Sequence, residues 1–207
     1  MRPIGFYNYT VIATYLGFAS AFLGCHFAVN HQTKNALFCL ILAGCFDMVD
    51  GKIASTRSRT TDEKNFGIQI DSLCDLVSFG VLPALLLQCF HLPSYVCVVL
   101  GSLFTLSALI RLSYFNVTEL NRQAQTNEHR AFYEGLPVTC DALILPFTYL
   151  FSPLLGESFG WFYSAALLLC GILFLTPFKL KKATTRGMFA LGAIGISILI
   201  GMILLPA

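Results

Sequence analysis

Seven long apolar stretches, separated by short polar connections, make up most of this 207-residue chain. A helix crosses the hydrocarbon core of a bilayer, about 30 Å thick, with about 20 residues, and it satisfies its own backbone hydrogen bonds there. Only 12% of the residues are charged, which excludes an ordinary soluble globule, a disordered chain and a nucleic-acid-binding module. We therefore predict an all-α polytopic membrane helix bundle that forms one transmembrane domain over residues 1–207. The predicted spans are roughly 10–29, 35–54, 68–90, 94–115, 137–153, 159–177 and 187–205.

The cationic side chains favour one side of this arrangement. Eleven of the thirteen Lys and Arg residues lie at the N-terminus or around the connections that follow the second, fourth and sixth stretches. Lys34 lies in an alternate connection, and Arg111 lies inside the fourth stretch. Because positive connections are retained on the cytoplasmic side, the N-terminus is predicted to be cytoplasmic and, with seven spans, the C-terminus is predicted to be outside.

Two pairs of aspartates interrupt the second and third apolar stretches. Asp47 and Asp50 are three residues apart, and Asp71 and Asp75 are four apart, so each pair shares one face of a helix. The two stretches are consecutive and antiparallel, and both pairs lie at their cytoplasmic ends. We therefore expect the four carboxylates to converge just inside the cytoplasmic boundary.

Four carboxylates at this depth need compensating charge, since one acid at a helix centre costs roughly 2.5–3.5 kcal/mol on the insertion scale. Divalent cations would supply that charge, and ligands that are all oxygen favour Mg²⁺, Mn²⁺ or Ca²⁺ over zinc. Hard cations held by carboxylates commonly bring phosphates to a site, so the pattern predicts a phosphorylated substrate.

Other interpretations of the same residues stay open. The acids can form a solvated cluster with nearby cations, which is the interpretation we favour for Asp62 and Glu63, or they can form the relay of a cation transporter. Gly51 follows Asp50 directly, and Gly67 lies four residues before Asp71. A glycine at either place lets a nucleotide or phosphate approach the backbone, although tight helix packing has the same requirement.

The pattern Asp47-x2-Asp50-Gly51-x2-Ala54 … Gly67-x3-Asp71-x3-Asp75 resembles the motif of the CDP-alcohol phosphatidyltransferases, D-x2-D-G-x2-A-R-x8-G-x3-D-x3-D. Four segments resemble the CDP-diacylglycerol–serine O-phosphatidyltransferase branch of that family. They are the start at residues 8–10, the run 66–80, and the elements at 111–117 and 135–137. Two departures stand out. Ser55 occupies the position of the family arginine, and eleven residues instead of eight separate that position from Gly67.

The resemblance implies a six-helix core with about one extra span, and phosphatidyl transfer from CDP-diacylglycerol to L-serine, giving phosphatidylserine and CMP. It implies that Asp47, Asp50, Asp71 and Asp75 hold two divalent ions, Mg²⁺ or Mn²⁺, and that Asp75 accepts the proton of the incoming hydroxyl. Arg57 or Lys52 would replace the charge of the family arginine. The CDP-lipid-binding residues that it implies are Asn8, Thr10, Gly51, Lys52, Ala54, Ser55, Arg57 and Gly67.

The acceptor is assigned by the branch resemblance and not by the aspartates. Arg111 is a candidate to bind the carboxylate of serine or a donor phosphate, or else it snorkels to the interface. Asp141 is a candidate for the serine ammonium, or else it is an interfacial polar residue. Glycerol phosphate, inositol phosphate and choline stay open as acceptors, as does a catalytically silent scaffold. We further expect a homodimer in a prokaryotic plasma membrane, with the active site facing the cytoplasm.

Overall fold

Helices form almost all the regular structure in the computed structural model, which describes residues 4–54, 56–126, 132–181 and 183–205. The helices are α1 Ile12–Val29, α2 Thr33–Ala54, α3 Thr61–Asp75, α4 Leu82–Leu85, α5 Ser94–Gln125, α6 Asp141–Tyr149, α7 Ser152–Leu155, α8 Phe159–Leu175 and α9 Thr185–Leu204. Two short strands, β1 Phe132–Glu134 and β2 Lys179–Lys181, pair antiparallel and join the connection before α6 to the connection before α9. The predicted all-α class is confirmed.

Five helical runs in the described ranges are long and apolar enough to cross a membrane. They are Tyr9–Val29, Thr61–Cys89, Ser94–Gln123, Ser152–Leu175 and Arg186–Leu204. The apolar helix Val138–Tyr149 is shorter. Helix α2 has 22 residues, but Lys34, Asp47, Asp50 and Lys52 lower its apolar character. Each of the seven predicted stretches thus contains a helix, and the crossing of all seven stays a prediction.

Two helices extend well beyond the apolar stretches that predicted them. Helix α3 begins at Thr61 because Thr60 and Glu63 form a capping box, in which Glu63 N donates to Thr60 Oγ1 at 3.2 Å and Thr60 N donates to Glu63 Oε2 at 2.9 Å. Helix α5 continues to Gln125, ten residues past the predicted end at 115. Apolar character predicts only the part of a helix that faces lipid or core. The polar turns at the start of α3 and the end of α5 were therefore not predicted.

The third stretch, expected as one helix, changes its winding directly after Asp75. A π-helical segment over Leu76–Val81 is followed by α4 and by a 3-10 turn over Leu86–Cys89. Pro83 in α4 lacks the N–H that a regular helix would use, and Thr105 of α5 donates to the carbonyl of Gly80 at 3.1 Å. The carbonyl of Gly80 in the π-helical segment therefore has a hydrogen-bond partner on the neighbouring helix α5.

Small residues set how closely the helices pack around the site. A Cβ at Gly24 of α1 would lie 2.9 Å from Cys39 of α2, and a Cβ at Gly44 of α2 would lie 2.8 Å from Ala142 of α6. Helix pairs in membranes use such small residues to bring their backbones together. This packing sets the distance between α1 and α2 and the distance between α2 and α6.

Helix α9 lies at the edge of the bundle. Its apolar window is 17% buried, against 39–44% for the four other candidate spans. It packs on α6, where Leu150 would lie 3.0 Å from a Cβ at Gly201. Lys34, near the start of α2, donates to the carbonyl of Leu205 at 2.8 Å, so α9 ends at the face opposite Asp47 and Asp50. The expected six-helix core with one extra span is therefore α1, α2, α3, α5, α6 and α8, with α9 outside.

Candidate active site

Three aspartates meet where the end of α2 faces the end of α3. One carboxylate oxygen from each of Asp47, Asp71 and Asp75 lies within 4.8 Å of the other two, and all three residues are partly buried. The spacing of four along α3 places Asp71 and Asp75 on one face, directed at α2. The structure thus brings together three of the four aspartates that the sequence singled out.

The fourth aspartate, Asp50, lies beside this trio. Its side chain is buried, and its Oδ2 accepts a hydrogen bond from Thr14 Oγ1 of α1 at 3.1 Å. Asp50 and Asp71 both line the larger of two cavities at this end of the bundle. The smaller cavity, about 10 Å³, is lined by Asp47, Asp50 and Asp75.

The residues present fit a hard divalent cation. Oxygen ligands bind such ions at about 2.0–2.6 Å, so oxygens up to about 5 Å apart can share one ion. The Oδ1 atom of Asp71 is buried and has no hydrogen-bond partner within the described part of the chain. An orphaned carboxylate oxygen of this kind is stabilised by a bound cation. The ligand set suits Mg²⁺ or Mn²⁺ without distinguishing them.

A groove of about 670 Å³ leads away from the aspartates between α1, α2, α3 and α5. Six residues of the sequence pattern line it: Thr10, Asp50, Gly51, Ala54, Gly67 and Asp71. Gly51 leaves its backbone open to the groove, since no described residue beyond its helical neighbours lies within 4 Å of the position of a Cβ there, whereas at Gly67 the Arg59 Nη1 lies 3.1 Å from that position. The groove is large enough for a nucleotide-sized headgroup, since small-molecule sites commonly measure about 300–1,000 Å³.

The other proposed CDP-lipid contacts are placed differently. Asn8 caps the 3-10 turn over Tyr9–Val11 by accepting from Thr10 N at 3.0 Å. Lys52 is exposed and is not among the residues lining the groove. Arg57 forms an ion pair with Glu63 at 3.6 Å, on the rim. Ser55 lies outside the described residues.

The two acceptor candidates lie inside the protein. Arg111 is 6% exposed, its Nε donates to the carbonyl of Leu136 at 3.3 Å, and its guanidinium lies 5.9 Å from the ring centre of Phe115. Asp141 is fully buried, and within the described residues neither carboxylate oxygen has a hydrogen-bond partner. Both side chains are therefore covered by other parts of the protein, and the interfacial alternative for each stays a prediction. Phe115 lines the groove, whereas Asp141 is not among the residues lining the two cavities.

The groove also contains charged residues that the sequence interpretation left out. Arg59 and Lys64 line it from the α2–α3 connection and α3, and Glu119 and Arg122 line it from α5. Lys64 is exposed and lies in the first half of α3. Its spacing gave a usable signal, because residues 64, 67, 68 and 71 follow one face of α3 and all line the groove.

Comparison with known proteins agrees with this site. A family model described as CDP-alcohol phosphatidyltransferase matches residues 8–178. The CDP-diacylglycerol–serine O-phosphatidyltransferase of Saccharomyces cerevisiae is 35% identical over 156 residues, covering 72% of this chain and 55% of the relative. The enzyme of the same name from Mycobacterium tuberculosis is 29% identical over 174 residues, covering 82% of this chain and 59% of the relative.

An archaetidylserine synthase from Methanothermobacter thermautotrophicus is 32% identical over 136 residues, covering 65% of this chain and 54% of the relative. The chain therefore spans a little more than half the length of these relatives. The match over residues 8–178 includes all four aspartates and the residues that line the groove. On that match, the chain belongs to the CDP-alcohol phosphatidyltransferase family.

Proposed function

We propose that this protein transfers a phosphatidyl group from CDP-diacylglycerol to the hydroxyl of L-serine, giving phosphatidylserine and CMP. The observation that carries the proposal is the convergence of Asp47, Asp71 and Asp75 beside a groove that Asp71 shares with other residues of the family motif. The relatives named for serine as acceptor support serine here. They come from Saccharomyces cerevisiae and Mycobacterium tuberculosis, and their matches cover 72% and 82% of this chain.

The chemistry divides between the aspartates and the groove. Divalent ions held by Asp47, Asp50, Asp71 and Asp75 would neutralise the pyrophosphate and the departing CMP. Asp75 removes the proton from the serine hydroxyl while the serine hydroxyl oxygen forms a bond to the lipid-bearing phosphorus. The bond between that phosphorus and the CMP oxygen breaks, and CMP leaves with the electron pair. The small cavity beside Asp75 supports its role, because it leaves space next to the carboxylate.

We assign serine recognition to Arg111 and Asp141. A buried guanidinium is a strong partner for a carboxylate, and Arg111 lies directly behind Phe115 of the groove wall. Asp141 is a buried acid whose two carboxylate oxygens have no hydrogen-bond partner among the described residues, which suits an ammonium group. The assignment requires local opening between the groove and Asp141.

The setting follows from the same proposal. The acyl tails of the donor would lie in lipid, while its cytidine headgroup would occupy the groove at the cytoplasmic face. We keep the cytoplasmic orientation, the prokaryotic plasma membrane and the homodimer as proposals. Crosslinking in intact membranes would test the dimer, and accessibility of an introduced cysteine near Thr61 would test the orientation.

The direct test follows CMP release by the detergent-purified protein. CDP-diacylglycerol is supplied with Mg²⁺ or Mn²⁺ and with L-serine, glycerol phosphate, inositol phosphate or choline, and the lipid product is identified by mass. We expect CMP and phosphatidylserine with serine only, loss of both after EDTA treatment, and recovery after the metal is restored.

Each other result has a distinct meaning. CMP release with another acceptor would contradict the serine assignment and preserve the transferase. No CMP with any acceptor would contradict the transferase, and a metal-dependent cation flux in liposomes would then favour the transporter.

A further inference from the structure

The connection between α2 and α3 places one guanidinium inside the groove. Arg59 is half-buried and lines the groove together with Gly67 and Asp71. Its Nη1 atom lies 3.1 Å from the position that a Cβ on Gly67 would occupy. The guanidinium thus packs against the bare backbone of Gly67, one helical turn before Asp71.

Lys64 also lines the groove, but its ammonium lacks the paired N–H donors of a guanidinium. The remaining cations near the motif have other partners or do not line the groove beside the aspartates. Arg57 forms its ion pair with Glu63, the residue that also completes the capping box of α3. Lys52 is exposed and does not line the groove. Arg122 lines the groove from the far wall but donates to Glu119, through Nε at 3.0 Å. Arg59 is therefore the guanidinium of the α2–α3 connection that faces the groove beside the aspartates.

We propose that Arg59 binds the pyrophosphate of the nucleotide-lipid donor, and that the absence of a side chain at Gly67 lets the guanidinium lie against α3 there. This inference rests on the proposed function and names a binding residue for its donor. A guanidinium presents two parallel N–H donors to a phosphate, which a lysine cannot reproduce. From this position it would hold the side of the diphosphate that faces away from the aspartates.

The same residue accounts for the departure at position 55. Seven residues separate Arg59 from Gly67, one fewer than the eight between the arginine and the glycine of the family motif. Counted from Ala54, Arg59 lies four residues later than the arginine of the family motif. Counted from Gly67, it lies within one residue of that arginine's position. The positive charge therefore keeps its position relative to α3, because the Arg59 guanidinium packs against that helix.

The test measures donor affinity in Arg59→Gln. We expect the KM for CDP-diacylglycerol to rise about tenfold or more, since hydrogen bonds between charged groups carry about that much affinity. The KM for L-serine should stay unchanged, and the affinity for CDP alone, measured by calorimetry, should fall by a similar factor. Arg59→Lys should recover only part of the loss. Arg186→Gln, which removes an exposed guanidinium at the start of α9, is the matched control and should bind CDP like the unaltered protein.

Gly67→Ala tests the packing half of the proposal. The added methyl group should displace the guanidinium and raise the KM for CDP-diacylglycerol, but it should add little further in the Arg59→Gln background. Full and independent losses in the double variant would overturn the link between the two residues. Thermal denaturation of each purified variant separates loss of binding from loss of folding.

Two outcomes would overturn the assignment of Arg59. One is unchanged CDP affinity in Arg59→Gln, and the other is the full loss of donor affinity in Arg57→Gln with Arg59→Gln unaffected. If the unaltered protein releases no CMP with any acceptor, the proposed function fails. The CDP-binding measurement would still decide whether Arg59 contacts a diphosphate.

Discussion

Asp75 is the aspartate to which we assign proton transfer. It ends α3, contributes to the carboxylate trio and lines the small cavity, whereas Asp50 is held by Thr14. A carboxylate that accepts a proton from the attacking hydroxyl typically contributes about 10²–10⁴-fold to the rate.

We expect Asp75→Asn to lower kcat by about 10²–10⁴-fold, because the amide cannot accept that proton. Three aspartates remain to hold metal, so the KM for CDP-diacylglycerol should change little. Steady-state CMP release, together with calorimetric binding of CDP, measures both quantities. Asp62→Asn is the matched control, since Asp62 is an exposed acid in the first turn of the same helix. Turnover of Asp75→Asn close to that of Asp62→Asn would remove Asp75 from the role of base.

The sequence predicted the convergence of acids well, because helical spacing converts directly into a shared face. Helix α2 contributes Asp47 and α3 contributes Asp71 and Asp75, as that spacing requires. It did not predict Arg59 in the groove, since the conformation of a connection depends on what packs against it. It also left open the full burial of Asp141, because a polar residue near the start of an apolar stretch carries no sign of its depth.

At the scale of elements, α3 depends on its N-terminal cap. Glu63 accepts from the backbone of Thr60 and from Asn8 Nδ2 at 3.5 Å, and it forms the ion pair with Arg57. One residue therefore ties the start of α3 to the N-terminal segment and to the α2–α3 connection.

We expect Thr60→Ala to lower the free energy of unfolding by about 1 kcal/mol, within the range of about 0.5–2 found when a helix cap is removed. The loss should appear as a lower midpoint in thermal or denaturant unfolding. Ser58→Ala, an exposed hydroxyl two residues earlier, serves as the control. Equal midpoints for the two variants would show that the capping box contributes nothing to stability.

Helices were easier to predict than their ends and their winding. Apolar character indicated where lipid or core contacts run, and each predicted stretch contains a helix. The capped start of α3, the polar end of α5 and the π-helical segment after Asp75 depend on individual hydrogen bonds. Such bonds leave little trace in an average over neighbouring residues.

At the scale of the whole molecule, the site and the outermost helix are separate. The family match ends at residue 178, before α9, and the groove is lined by residues up to Tyr133. Helix α9 contributes Ile198 and Met202 to the buried core, on the side of α6. Its removal should therefore affect packing more than chemistry.

We expect a chain ended after Ala183 to keep most of its CMP release and to unfold at a lower temperature, because α6 loses the buried contacts of Ile198 and Met202. CMP release and thermal denaturation in the same detergent measure the two effects. The chain with both residues changed to alanine is the comparison, since it weakens the same contact and keeps the helix. Loss of CMP release in a folded, monodisperse truncation would place α9 in the machinery of the reaction.

The capping box has a consequence for how sequences of this kind can diverge. Thr60 and Glu63 cap the start of α3 through hydrogen bonds to each other. The register of Asp71 and Asp75 in the helix therefore does not depend on how many residues precede Thr60. The connection after α2 can then gain or lose residues without moving the carboxylates, as the three additional residues before Gly67 illustrate. Insertions in the α2–α3 connection can therefore change the contacts to the donor headgroup during evolution, while the four aspartates keep their positions.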